Sequence, residues 1–184
     1  MNGVLKADAT LLLLIDLQAR LMPAISDQDR VTERCHWLLR LARELGIPTM
    51  ATVHNPDGLG ELVEPIKSGI SPADQLTKHS FDASCDNGIK TRIAAQNKPM
   101  VLIAGVEAHV CVLQTALGLV NQGYRTFVAW DAVGSRRQSD RELARQRLGS
   151  EGVSCLSSEM VFFEWLEDSS HSDFKRRLRE FVTA

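Results

Sequence analysis

Short apolar runs alternate along the chain with stretches in which apolar residues recur every three or four positions. The run from Thr10 to Ile15 is typical of a strand that is covered on both faces. The stretch from Asp27 to Leu45 places its apolar residues on one helical face, with Ser26 and Asp27 as its expected cap. Strands alternating with helices favour parallel strands joined by crossovers. We therefore expect a three-layer α/β/α fold with a mostly parallel six-stranded sheet.

The same pattern assigns the rest of the chain. Further strands are predicted at Pro48 to Val53, near Lys78, and at Val101 to Ala104, Tyr124 to Trp130 and Gly152 to Leu156. Further helices are predicted from Ser84 or Asp86 to about Ala95, from Val112 to Gly123, from a capping box of Ser139 and Glu142 to about Leu148, from Ser157 and Ser158 to about Glu167, and from His171 to Val182. No repeat or linker interrupts this order, so residues 1–184 are predicted to form a single domain.

Composition narrows the class of protein. The net charge of -2 gives no basic surplus for nucleic acid. The run from Leu11 to Ile15 is too short for a signal or a membrane helix. Four scattered cysteines, without a C-x-x-C pair, favour reduced thiols in a cytoplasmic protein. There is no dinucleotide, Walker or H-E-x-x-H motif. We therefore expect a small-molecule substrate and no cofactor, with neither nucleic acid nor membrane as partner.

The most informative stretch runs from Val101 to Cys111. A buried strand is broken at Gly105, and a helical pattern begins at Val112, so Cys111 falls near the first turn of a helix. A helix N-terminus lowers the pKa of a thiol and offers N–H groups to an oxyanion. This position favours a nucleophile with an acidic thiol. The alternative is an ordinary buried cysteine, because free cysteines are commonly buried.

Two more polar residues are predicted at strand ends. Asp16 follows the first strand, and Lys78 lies near the end of another. Each has a plain alternative: Asp16 as a turn or cap residue, and Lys78 as a solvated surface group. Open α/β sheets bind ligands at the carboxyl ends of their strands. With Cys111, these residues would supply a nucleophile, a base and a cation.

Three ordered motifs resemble those of the isochorismatase-like cysteine hydrolases, and the similarity extends from about Thr10 to about Leu166. They are Asp16-Leu17-Gln18, Lys78 followed by Phe81, and Gly105-Val106-Glu107-Ala108-His109-Val110-Cys111. The resemblance implies that Asp16 is the general base, that Lys78 stabilises the thiolate and that Cys111 is the nucleophile. It also implies a cis Val106–Glu107 bond and an oxyanion hole formed by the N–H groups of Glu107 and Cys111. The expected reaction is hydrolysis of a small amide, carbamate or ester through an acyl-enzyme.

Other expectations concern the surroundings of that site. Gln18, Asn55, Phe81 and His109 are predicted to bind substrate. The loop from Pro56 to Ala73 is predicted to cover the site and set substrate choice.

Metal binding is not expected. The nicotinamidases that this family includes use an Asp and two His as metal ligands, whereas here only His54, with Asp57 nearby, matches.

A homo-oligomer is expected, because the family resemblance suggests that a neighbouring subunit completes the cover. Trp37 and the Phe162-Phe163-x-Trp165 cluster also offer more aromatic surface than one helix face can bury.

Two other function classes stay open. The protein could be a non-catalytic small-molecule binding or scaffold protein that retains the pocket. It could instead be a thiol redox protein, although no resolving cysteine lies within a few residues of Cys111.

Overall fold

A six-stranded sheet forms the centre of the fold in the computed structural model, which describes residues 3–183. Its strands are β1 (Thr10–Ile15), β2 (Thr49–His54), β3 (Gln75–Lys78), β4 (Met100–Val106), β5 (Arg125–Gly134) and β6 (Ser154–Leu156). They lie in the order β3-β2-β1-β4-β5-β6, and every neighbouring pair is parallel. The predicted α/β fold is confirmed, with a sheet that is parallel throughout.

Helices cover both faces of this sheet. They are α1 (Gln28–Glu44), α2 (Pro56–Leu59), α3 (Ile66–Gly69), α4 (Asn87–Ala95), α5 (Leu113–Asn121), α6 (Gln138–Ser150), α7 (Ser158–Leu166) and α8 (Phe174–Phe181). Leu12 and Leu14 of β1 join the apolar cluster beneath α1 and α7, whereas Leu11 and Leu13 join the cluster beneath α4, α5 and α6. This alternation explains why β1 is apolar at every position after Thr10. Within residues 3–183, no helix has the length and apolar character needed to cross a membrane.

The strand order reverses between β1 and β4. From β1 the chain builds outward through β2 and β3, and it then returns to the other side of β1 to add β4, β5 and β6. Such a reversal opens a crevice at the carboxyl ends of the two central strands. Gly105 allows a close approach there, because a Cβ at this position, with φ of +117°, would lie 2.2 Å from the Ile15 carbonyl oxygen.

Helix caps were predicted with mixed success. Asp86 accepts from the N–H groups of Gly88 and Ile89 at the start of α4, as expected. The capping box of Ser139 and Glu142 is wrong, because α6 begins at Gln138 and Ser139 lies inside it.

The predicted cap of α1 is also wrong. Asp27 precedes α1 with a left-handed φ of 56° and makes no side-chain cap bond. The strand predicted from Tyr124 to Trp130 is longer than expected, because β5 continues through Asp131 to Gly134. The Asp131 carboxylate accepts from the N–H and hydroxyl of Ser158 at the start of α7.

The stretch from Pro56 to Ala73 is not a free loop. It contains α2 and α3, and Leu62, Ile66 and Ile70 are buried in the main apolar cluster. Only Leu59 from this stretch lines the large cavity described below. The stretch therefore forms part of the core as well as one wall of the site.

The expected surplus of aromatic surface is also mostly absent. Phe162 and Trp165 are buried, and Trp37 packs against Phe162 and Phe181 and donates its indole N–H to the Phe181 carbonyl at 2.8 Å. Phe163 alone of that cluster is exposed. The homo-oligomer stays a prediction, and the buried aromatic residues no longer support it.

Candidate active site

Three side chains meet at the carboxyl ends of the central strands. Asp16 follows β1 directly, Lys78 is the last residue of β3, and Cys111 lies in a π-helical turn, Ala108–Val112, between β4 and α5. Lys78 Nζ is 2.7 Å from Asp16 Oδ2 and 3.6 Å from Cys111 Sγ. The structure thus brings together the three residues that the sequence proposed as a base, a cation and a nucleophile.

Asp16 and Lys78 form a fully buried ion pair, since neither side chain is exposed to solvent. The second carboxylate oxygen of Asp16 accepts a hydrogen bond of 2.7 Å from the Thr52 hydroxyl. Because both groups are withdrawn from water, their mutual attraction is stronger than that of a surface pair.

The ammonium group of Lys78 has four polar neighbours but only three hydrogens. Besides Asp16 and Cys111, Nζ lies 3.2 Å from the Ser80 carbonyl oxygen and 3.4 Å from His54 Nδ1. An ammonium group has three N–H donors and no acceptor. Four groups therefore share three hydrogens, and a change in charge at Cys111 alters how these hydrogens are divided.

The resting thiol of Cys111 is not acidic. Burial and the negative charge of Asp16 raise its pKa to about 12, against the opposing effect of Lys78. The expected acidic thiol is therefore wrong for this site at rest. Position near a helix start favoured a low pKa, but the sequence could not show how deeply the sulfur is buried beside a carboxylate.

A cavity of about 500 Å³ opens onto these residues. It is lined by Asp16, Leu21, His54, Asn55, Leu59, Phe81, Glu107, Val110, Cys111 and Arg136. Apolar and polar side chains both form its wall. Its size suits a small organic molecule.

Comparison with known proteins identifies the family. Residues 10–160 match the model of the isochorismatase domain. The chain belongs to the isochorismatase family. A curated relative, isochorismatase domain-containing protein 2 of Danio rerio, is 33% identical over 175 residues, which cover 94% of this chain and 87% of that protein. The resemblance found in the sequence is thereby confirmed.

Solved structures of isochorismatase-fold proteins superpose closely on this chain. YcaC from Pseudomonas aeruginosa, solved with hexane-2,5-diol and covalent acrylamide, has a TM-score of 0.91 and 25% identity, covering 100% of this chain and 94% of its own. The MAR1 ribonuclease of Caenorhabditis elegans has a TM-score of 0.89 and 29% identity, covering 99% and 93% respectively. Membership of the family carries hydrolase chemistry in general, without naming a substrate for this chain.

The predicted substrate-binding residues divide into two pairs. Asn55 and Phe81 line the cavity of this isochorismatase-family protein. Gln18 does not, because its buried amide is bonded to the main chain of His54 and Gly60. His109 does not either: its Nδ1 lies 3.0 Å from the Ser135 hydroxyl, and its ring lines a separate cleft beside α6. Both of these predictions are corrected.

Sequence reasoning missed two contributors to the cavity. His54 was considered only as a metal ligand, yet its ring stacks on Phe81 with centroids 5.4 Å apart. Arg136 pairs with the Glu107 carboxylate through Nε and Nη2, at distances down to 2.8 Å. Burial raises the pKa of Glu107, but the hydrogen bonds and charge of Arg136 outweigh it and hold that pKa below its usual value. An Arg in a turn carries no signal in the sequence that would pair it with Glu107.

In the described part of the chain, no group of three or more His, Cys, Asp or Glu side chains is arranged so that it could hold a metal ion.

The Val106–Glu107 peptide bond is cis, and Glu107 leads into the turn that carries Cys111.

Proposed function

We propose that the protein is a cysteine hydrolase that cleaves a small amide, carbamate or ester through an acyl-enzyme on Cys111. The observation that carries the proposal is the single buried ammonium group of Lys78, which contacts both the Asp16 carboxylate and the Cys111 sulfur. A nucleophile, a base and a charge-stabilising cation within contact distance are the components of nucleophilic catalysis.

The raised pKa of Cys111 fits this chemistry when the proton stays inside the site. Loss of the thiol proton to water would leave two negative charges beside one positive charge. Transfer of the proton to Asp16, whose carboxylate lies close enough to act on the pKa of Cys111, leaves a neutral acid and a thiolate opposite Lys78. The net charge of the buried group is unchanged by this transfer, so burial opposes it far less.

The reaction then follows in two halves. The Cys111 thiolate attacks the substrate carbonyl carbon, and the N–H groups of Glu107 and Cys111 are proposed to stabilise the oxyanion. As the C–N or C–O bond breaks, Asp16 returns the proton to the leaving amine or alcohol. Asp16 next takes a proton from water, the resulting hydroxide attacks the thioester, and the acid is released as Cys111 regains its proton.

The Pseudomonas relative was solved with covalent acrylamide, which supports a reactive nucleophile in a site that admits a small amide. Acrylamide reacts through its carbon–carbon double bond, so the adduct is an alkylated and not an acylated protein. The apolar wall of Leu21, Leu59 and Val110 favours a substrate with an apolar part. The ribonuclease name of the Caenorhabditis relative raises RNA as a second substrate. The net charge of -2 and the small cavity favour a small molecule instead.

Mass spectrometry of the protein after incubation with small amides, carbamates and esters tests the proposal. We expect an acyl adduct on Cys111 of the wild-type protein after rapid acid quenching, and little or none in Asp16→Asn, because Asp16 is needed to take up the thiol proton before the attack. Cys155→Ala serves as the matched cysteine control and should acylate normally.

Three outcomes would contradict the hydrolase. Sulfenic acid on Cys111 in place of the adduct would indicate a redox protein, and ligand binding without any adduct would indicate a binding protein. RNA cleavage that survives Cys111→Ala would indicate a different reaction altogether.

A further inference from the structure

His54 is held at the cavity wall by hydrogen bonds to its main chain and by contacts on its ring. It is the last residue of β2, and the buried Gln18 amide bonds both of its main-chain groups, accepting from the N–H at 2.8 Å and donating to the carbonyl at 3.0 Å. Its ring lies against Phe81 on one side and has Nδ1 3.4 Å from Lys78 Nζ. A ring fixed in this way is preorganised for a directional contact.

The neighbouring ammonium group decides which ring nitrogen carries the hydrogen. Lys78 is ion-paired with Asp16 and can only donate, so the 3.4 Å contact is favourable when His54 Nδ1 accepts and the ring hydrogen lies on Nε2. Burial and the charge of Lys78 lower the pKa of His54, which favours the neutral ring. The charge of Asp16 and a hydrogen bond of the ring to the main chain of Ser80 oppose these effects without outweighing them. The ring also lines the cavity, where it can meet a bound molecule.

We infer that His54 is a substrate-binding residue that donates its Nε2 hydrogen to an oxygen of the substrate, in a tautomer set by Lys78. This inference rests on the proposed function only in taking the cavity as the substrate site. It gives His54 a role other than metal ligation. A metal on Nε2 would require the hydrogen to sit on Nδ1, where it would face the Lys78 ammonium group.

Substitution of His54 by Asn and by Gln distinguishes the role of Nδ1 from that of Nε2. An Asn amide reaches the place of Nδ1 and can still accept from Lys78, whereas a Gln amide reaches the place of Nε2 and can still donate to substrate. We expect kcat/KM to fall about tenfold further in His54→Asn than in His54→Gln, mainly through KM, since one hydrogen bond is lost. His79→Asn is the matched control, because His79 is exposed and lies outside the cavity lining. Equal losses in the two His54 variants would overturn the inference.

A second measurement needs no known substrate. Iodoacetamide carries an acceptor oxygen, whereas iodoethane does not, and both alkylate thiols. We expect His54→Asn to lower the ratio of the two Cys111 alkylation rates about tenfold relative to the wild type. An unchanged ratio would overturn the inference even if an acyl-enzyme is found.

Nuclear magnetic resonance of ¹⁵N-histidine-labelled protein measures the tautomer directly. The His54 signals are those that are missing from the spectrum of His54→Gln. We expect a pyridine-like Nδ1 and a pyrrole-like Nε2 at neutral pH, and the reverse would overturn the inference. If no substrate acylates Cys111, the hydrolase proposal fails. A lowered alkylation ratio with the expected tautomer would still support donation by His54.

Discussion

Removal of one charge of the buried Asp16–Lys78 ion pair should lower the free energy of unfolding far more than removal of both charges. Lys78→Met keeps most of the side-chain volume but removes the charge that faces Asp16, and Asp16→Asn removes the opposite charge at nearly constant shape. The pair is completely buried, with its atoms 2.7 Å apart. Each single change therefore leaves one ion in the interior with only partial compensation.

The magnitude follows from the separation. At an effective dielectric constant of about 20, two unit charges 2.7 Å apart attract by about 6 kcal/mol. Part of this attraction offsets the desolvation of two ions. Loss of one partner is expected to lower the free energy of unfolding by about 3–5 kcal/mol. The double variant has no buried charge at this place and should lose less than about 2 kcal/mol.

Urea unfolding at neutral pH, followed by circular dichroism, measures the four free energies of this mutant cycle. We expect a coupling of about 3 kcal/mol or more between the two substitutions. Thr52→Val is a useful control, because it removes the hydrogen bond to Asp16 while both charges stay. Additive losses in the double variant would refute the reasoning, since they would mean that neither residue senses the charge of the other.

Four further predictions follow from single features. The alkylation rate of Cys111 should rise about tenfold per pH unit between pH 7 and 9, because a thiol with a pKa of about 12 is mostly protonated there; a plateau in the rate measured by mass spectrometry would contradict this. Glu107→Gln should cost about 1 kcal/mol at pH 7, since Arg136 is largely exposed, and the difference from wild type should shrink as the pH falls through the lowered pKa of Glu107, as measured by urea unfolding. Gly105→Ala should destabilise by more than about 2 kcal/mol, whereas Gly149→Ala, with open space around it, should be neutral or slightly stabilising in thermal unfolding. Light scattering should give a molar mass that is a multiple of the 20.4 kDa of one chain, and a monomer at micromolar concentration would contradict the predicted homo-oligomer.

The strands and the three reactive residues were accessible from the sequence for a physical reason. Buried parallel strands must be apolar throughout, so β1 and β4 stand out, and the residue after each strand is placed at one edge of the sheet. That rule locates Asp16 and the turn that carries Cys111 without any knowledge of side-chain packing. The motifs then identified the family, which the comparison with the isochorismatase domain confirmed.

What the sequence could not supply depends on contacts between distant side chains. The pairing of Glu107 with Arg136 joins the turn after β4 to the segment after β5, and the contact of His54 with Lys78 joins two neighbouring strand ends. Gln18 was predicted to bind substrate, yet its amide is bonded to the main chain of His54 at the end of β2. In each case the relevant partner is fixed by register across the sheet, which residue type alone does not reveal.

The same burial that strengthens the attraction between Asp16 and Lys78 also limits how Cys111 can react. A Cys111 thiol with a pKa of about 12 is a poor nucleophile towards a reagent that meets the resting site. In the proposed mechanism, the nearby Asp16 carboxylate takes up its proton once substrate is bound. In the proposed mechanism, reactivity towards a bound substrate therefore depends on internal proton transfer, whereas alkylation of the resting site depends on ionisation to solvent. In the proposed mechanism, the thiolate competes with His54 for a hydrogen of Lys78, and the protonated Asp16 leaves that ammonium group without its opposite charge. Lys78 Nζ contacts both Cys111 and His54, so the two proposals together link activation of the nucleophile to recognition of the substrate through one nitrogen atom.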